Sequence, residues 1–315
     1  MNLADLVRQF AFLFADVVLP ILVLALTGYL LQRRFSLHME TLAKVQVNLL
    51  VPAFMVSRVG ASTLSWSEIG LILAAVLLGT FLLAVPVWTV VRSRGLAMGT
   101  SSVLVLAAVV FNSGNFGIPL AERAYGTVGG EVQALVLLAS SLAMFGLGYI
   151  LMASKSGVGQ GLAAFLKTPI FWSMVAGLGL KLWGRDLPVA VGYPIDTLAS
   201  GLVPLALVTL GAQMAMRVGP PQWRFVAPVL GLKLLGLPVA MALVVWLFGL
   251  WPWPGAMLIV AAAAPSAVNT IILSIELDGD TEVAAECIVW TTLASTVSVT
   301  LILAVVKGLG GLPPG

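Results

Sequence analysis

Apolar residues fall in long blocks separated by charged or Pro/Gly-rich breaks. The blocks approach about 20 residues, the length at which a helix crosses a hydrocarbon layer roughly 30 Å thick. They predict helices over 10–31, 39–57, 69–91, 100–121 and 132–152, then over 166–183, 192–216, 225–250, 255–275 and 283–306. The expected fold is an all-α polytopic membrane protein with ten transmembrane helices, five and five. The longest break holds Ser154-Lys155-Ser156-Gly157-Val158-Gly159-Gln160-Gly161, the composition of a flexible exposed linker. The chain therefore divides into 1–153, a linker at 154–165, and 166–315. The first block lacks a basic leader and a small-residue cleavage site, so it reads as a retained helix.

Composition removes several alternatives. The 315 residues are 60% hydrophobic and 9% charged, with a mean hydropathy of +1.08. A soluble domain carries roughly 25% charged residues. A single Cys287 and a single His38 exclude an intrachain disulfide framework and a His/Cys cluster for zinc or haem, and no cofactor is expected.

The net charge of +3 comes from basic residues placed singly or in pairs at the ends of apolar runs, a pattern that orients helices in a bilayer and does not bind nucleic acid. Nine of them (Arg33, Arg34, Lys44, Arg92, Arg94, Lys155, Lys167, Arg217 and Arg224) fall on the linker side, and six (Arg8, Arg58, Arg123, Lys181, Arg185 and Lys307) on the other. The excess predicts a cytoplasmic linker and both termini outside, in a bacterial inner membrane. Five helices per half force the second half to insert upside down, the inverted-repeat plan of many secondary transporters.

Two predicted helices carry defects at matching positions. The fourth reads Asn112-Ser113-Gly114-Asn115-Phe116-Gly117-Ile118-Pro119-Leu120 in mid-run, and the ninth reads Pro265-Ser266-Ala267-Val268-Asn269-Thr270. Glycine loosens the backbone and Pro119 donates no amide, so carbonyls near Asn115 must turn to protein, water or ligand. Superposing Asn112-Ser113 on Pro265-Ser266 also brings Gly126 onto Gly279. Paired broken helices point to a transport site at the midplane, where half-helix N-termini face an anion. Close helix packing by the same small residues is the plainer reading.

At these residues the sequence resembles the auxin efflux carrier family, the PIN-like group of the bile acid and sodium symporter fold, whose bacterial members include carriers named for malonate and malate. Besides the two broken segments, Asn48-Leu49-Leu50-Val51-Pro52-Ala53-Phe54, Val203-Pro204-Leu205-Ala206-Leu207 with Gly211-Ala212-Gln213, Lys233-Leu234-Leu235-Gly236-Leu237-Pro238 and Gly279-Asp280 are similar to family segments. The resemblance implies crossed, broken helices four and nine in a mobile transport domain of helices 3–5 and 8–10. It further implies a scaffold of helices 1, 2, 6 and 7, elevator-like alternating access, and dimerisation through the scaffold. Plant members carry a long hydrophilic loop between the halves; here the linker is short, and an auxin substrate is not implied.

The candidate binding residues are therefore Asn112, Ser113, Gly114, Asn115 and Pro119 from the first break, and Pro265, Ser266, Asn269 and Thr270 from the second. Asn48 and Gln213 join them from the scaffold. Lys233 lies deep in the eighth helix and either attracts a carboxylate or serves a helix carbonyl end or the interface. Glu276, Asp278, Asp280, Glu282 and Glu286 form an acidic stretch, read first as a solvated loop that favours a helix N-terminus; Glu286 is also a candidate proton carrier.

No nucleophile–base pair, paired Asp or HExxH supports an intramembrane enzyme. The leading expectation is a secondary carrier of a small organic anion (malonate, malate or an auxin-like acid) with sodium or proton coupling open. A non-transporting sensor on the same fold is the alternative.

Overall fold

The structure is a computed structural model that describes residues 3–152, 157–184, 187–216 and 220–313. Within these, the regular elements are helices: α1 (Val7–Phe35), α2 (Met39–Gly60), α3 (Trp66–Ser93), α4 (Met98–Val109), α5 (Ser113–Leu151), α6 (Gly157–Leu166), α7 (Pro169–Trp183), α8 (Val189–Ala215), α9 (Trp223–Leu247), α10 (Gly255–Ala262), α11 (Asn269–Glu276) and α12 (Thr281–Gly308). Seven of them (α1, α2, α3, α5, α8, α9 and α12) are long and apolar enough to cross a membrane. The pair α6–α7, bent by 64°, makes an eighth when counted as one span. The chain is a multi-pass membrane protein.

The short elements α4, α10 and α11 flank the two interruptions expected from sequence. The 39 residues of α5 would run about 58 Å if straight, at about 1.5 Å per residue. They bend at Gly126, whose φ of 66° only glycine adopts freely. The turn between α11 and α12 carries the comparable feature at Asp278, φ 54°, one position before the Gly279 that the sequence superposition marks.

Proline shapes four of the helices in one way. Pro20, Pro52, Pro119 and Pro238 each follow a widened turn, over Phe14–Val18, Gln46–Leu50, Ser113–Gly117 and Leu232–Gly236. The proline ring clashes with the carbonyl four residues back and offers no amide, so the helix accommodates one extra residue per turn there. Asp16, four residues before Pro20, shows the result: its carbonyl accepts from Arg123 Nε at 2.8 Å.

Helices α1, α2, α7 and α8 pack on one another, as do α3, α4, α5, α9, α10 and α12; α5 touches members of both groups, and α12 also packs on α1. The tightest approach joins α1 and α8. A Cβ on Gly28 would fall on the Val208 carbonyl, and one on Gly211 on the Ala25 carbonyl. Such small-residue contacts replace the hydrophobic drive that helices lack inside lipid.

The segment expected as a linker, 154–165, is helical over most of its length. Residues 154–156 lie outside those described, but from Gly157 the chain is helical. Gly161 lets α6 approach the Phe145 carbonyl of α5, and Phe165 packs on Phe145 and Phe171 at 6.3 and 5.7 Å. These contacts outweigh a glycine-rich composition that locally disfavours helix.

A side chain at the α1–α8 crossing should overpack it. Gly211→Leu is expected to cost about 1–3 kcal/mol, read as a lower melting temperature in detergent. Gly70→Ala, with open space around it, should not lower the midpoint. An unchanged midpoint in Gly211→Leu would remove this account of the packing.

Candidate functional site

The two broken helices meet at their centres. After α4 ends, Val110 is extended, with φ −92° and ψ 126°. Phe111 then lies antiparallel to Ser266. The Asn112 amide donates to the Pro265 carbonyl at 2.7 Å, and the Ala267 amide to the Val110 carbonyl at 3.1 Å. Each break thus supplies one donor and one acceptor to the other, in a region where water cannot serve them.

Side chains meet further backbone groups around the crossing. Ser266, fully buried, donates from Oγ to the Ala107 carbonyl at 2.6 Å and from its amide to Thr291 Oγ1 at 3.1 Å. Asn112 Oδ1 accepts the Asn115 amide at 3.0 Å and caps α5. Gln133 Nε2 donates to the Ser113 carbonyl at 2.7 Å; Gly117 leaves room for this amide, since a Cβ there would collide with it. Lys233, fully buried, reaches the Ala262 carbonyl at 3.5 Å and lies 4.8 Å over the Phe111 ring. Its amino group thereby meets one of the carbonyls that the C-terminal end of α10 leaves open.

Beside this crossing lies a cavity of about 100 Å³. One wall carries Asn112, Ser113, Gly114, Asn115, Ser140, Ser141 and Asn269; the other carries Gln46 from α2 with Thr209 and Gln213 from α8. No acidic, basic or histidine side chain is among its described lining residues. Gln46 Nε2 donates to Asn115 Oδ1 across the cavity, and Ser113 Oγ pairs with Ser140 Oγ at 2.7 Å. Asn112 Nδ2, Thr209 Oγ1 and Gln213 Oε1 are buried with no hydrogen-bond partner among the described residues.

Of the residues expected from sequence, the structure brings Asn112, Ser113, Gly114, Asn115, Asn269 and Gln213 together around this cavity. Pro119, Pro265, Ser266 and Thr270 are buried outside its lining. Ser266 and the Pro265 carbonyl fasten the crossing. Asn48 is exposed and returns its Nδ2 to the Lys44 carbonyl at 2.9 Å. Two residues back is a turn of about 200° around a helix, so Gln46 faces the cavity that Asn48 was expected to reach. Lys233 is likewise outside the lining, and serves the helix carbonyl end.

Sequence reasoning passed over Gln46, Thr209, Ser140, Ser141 and Gln133. The available signal was spacing: Thr209 and Gln213 lie four apart on α8, and Gln133 and Ser140 seven apart on α5, each pair on one face. In the acidic stretch, Asp280 caps α12 through the Val283 amide at 3.1 Å and accepts from Thr100 Oγ1 at 2.8 Å. Buried Glu286 accepts the Gln222 amide at 2.7 Å, tying the turn before α9 to α12.

Comparison with known proteins gives this geometry its context. Residues 161–303 match the family described as "Membrane transport protein". The chain resembles transporters. It is 29% identical to an "Uncharacterized transporter" of Methanothermobacter thermautotrophicus, over 91% of this chain and 96% of that protein. It is 27% identical to a "Putative malonate transporter" of Rhizobium meliloti, over 94% of this chain and 96% of that one.

Gln133→Leu leaves the buried Ser113 carbonyl without its donor and is expected to cost about 1–3 kcal/mol of stability. Asn48→Ala should stay within about 0.5 kcal/mol of the parent. Thermal unfolding of both variants in one detergent tests the assignment, and equal midpoints would refute it.

Proposed function

We propose that the protein is a secondary active transporter of a small organic anion, a carboxylate such as malonate or malate. In this reading ten spans form two inverted five-helix repeats, and α1, α2, α7 and α8 are the scaffold against which the other group moves in an elevator-type cycle. The observation that carries the proposal is the cavity wall. Asn112, Thr209 and Gln213, each with a buried polar atom unmet among the described residues, line one small space from both helix groups. Each unmet buried group costs about 1–3 kcal/mol; carboxylate oxygens would accept from Asn112 Nδ2 and Thr209 Oγ1, while Gln213 Oε1, an acceptor, would take a hydroxyl donor such as that of malate.

The N-terminus of α5, beginning at Ser113, opens beside the cavity and favours negative charge there. Size favours a compact cargo: drug-sized pockets run to about 300–1,000 Å³, several times the volume here, which favours a short dicarboxylate over an indole acid. The mutual pairing of Phe111 and Ser266 supports the inverted repeat, because an antiparallel pair relates its two chains by a two-fold axis.

The cavity draws on the early part of α2 and the end of α8, on the linker side. At the other ends, Arg58 of α2 pairs with Glu122 of α5, and Asp16 of α1 with Arg123 of α5 at 2.9 Å. The two groups are thus fastened on the side away from the linker, which the Lys/Arg excess makes the outer side in this reading.

Purified protein screened by thermal shift against malonate, malate and indole acetate, with and without sodium, is expected to rise with a dicarboxylate. Asn112→Ala and Asn269→Ala should lower uptake into proteoliposomes about tenfold or more at normal abundance; full uptake in both would sink the proposal. For the cycle, Ser141→Cys in a Cys287→Ser background should react with an impermeant maleimide from the linker side only. Adding Arg58→Gln and Arg123→Gln should open the reaction to the other side. Labelling still confined to the linker side would exclude the ion pairs as the outer closure.

A further inference from the structure

A second cavity, of about 370 Å³, lies between the C-terminal part of α3 and the start of α9 and shares no lining residue with the first. Its walls are apolar, with Leu83, Val87, Leu104, Val229 and Leu232 among them, and the charged residues among its described lining are Arg94 and Arg224. Both arginines are exposed, and neither takes part in any salt bridge found among the described residues. Leu83 and Arg94 are eleven residues apart, about 16 Å along a helix, which is half of a hydrocarbon core roughly 30 Å thick. The groove therefore has the depth of one leaflet, with both guanidinium groups belonging to its headgroup end.

Neighbouring side chains mark the same level. Arg92 stacks over Trp88 at 5.6 Å, and Arg224 over Phe225 at 4.5 Å, the pairing of aromatic ring and cation found where helices leave the bilayer. This end also lies on the side richer in Lys and Arg.

We propose that the groove between α3 and α9 is a specific site for an anionic phospholipid, with one acyl chain along Leu83–Val90 and the phosphate held by Arg94 and Arg224. Charge complementarity selects the occupant. Two cations without acidic partners at the mouth of an apolar slot favour a lipid carrying net negative charge over a zwitterionic one, and guanidinium forks match phosphate oxygens in pairs. The site uses no residue of the crossing and stands independently of what the protein carries.

The test is native mass spectrometry and thermal shift on the full chain in detergent, with phosphatidylglycerol, phosphatidylcholine and inorganic phosphate as probes. Phosphatidylglycerol should be retained and should raise the midpoint, while the other two do neither. In Arg94→Gln with Arg224→Gln, its retention should fall roughly thirty-fold, which at about 1.4 kcal/mol per factor of ten corresponds to two cationic side chains near an anionic surface at about 1 kcal/mol each. Val87→Trp, which fills the slot and keeps both charges, should lower retention as well. Equal effects of the two lipids, the same shift with phosphate alone, or undiminished retention in the double variant would each overturn the proposal. If the double variant does not fold, the comparison of lipids on the parent chain and on Val87→Trp decides.

Discussion

Backbone amides and carbonyls cannot be left open in the middle of a bilayer, and this constraint organises the rest of the molecule. Two helices give up their internal hydrogen bonds at Val110–Asn112 and at 263–268, and each break repairs the other through the pair at Phe111 and Ser266. What the pair leaves over is met from outside: Gln133 serves the Ser113 carbonyl, Ser266 the Ala107 carbonyl and Lys233 the Ala262 carbonyl. The cavity beside this knot is lined by Asn112, Thr209 and Gln213, three of the described residues with a buried polar atom that no neighbour meets.

The same logic explains why prolines sit inside spans that would be cleaner without them. Each of Pro20, Pro52, Pro119 and Pro238 widens the preceding turn, and these turns supply polar groups that matter elsewhere. The turn before Pro20 offers the Asp16 carbonyl to Arg123; the turn before Pro52 carries Gln46, that before Pro119 carries Asn115, and that before Pro238 carries Lys233. A local steric defect becomes a means of placing a polar contact at depth.

Much of this was legible from one-dimensional pattern. Apolar block lengths marked an all-helical, multi-span chain, of whose ten expected spans seven or eight are long and apolar enough among the described residues, and Gly, Asn and Pro in mid-block located both interruptions. What pattern could not supply was rotation about a helix axis. Asn48 and Gln46 are equally plausible in sequence, and only the packing of α2 against α5 and α8 selects Gln46. Lys233 was open between a carboxylate and a helix carbonyl end because its depth is visible in sequence and its neighbour, the Ala262 carbonyl, is not. Gly157–Gly161 read as linker because its helix is held by Phe145 and Phe165, contacts that no local propensity encodes.

The cavity's lining has a consequence for energetics across the bilayer. Since no ionisable side chain is among its described lining residues, an anion carried as proposed would keep its own charge while crossing. Each elementary charge moved through 100 mV is worth about 2.3 kcal/mol. With a negative interior, outward passage of an anion would run downhill electrically, and accumulation inward would have to draw on a cation moving with it. An uncharged pocket built from amides and hydroxyls thus leaves direction to the membrane voltage and to the ions present, and a dicarboxylate would feel that field twice as strongly as a monoacid.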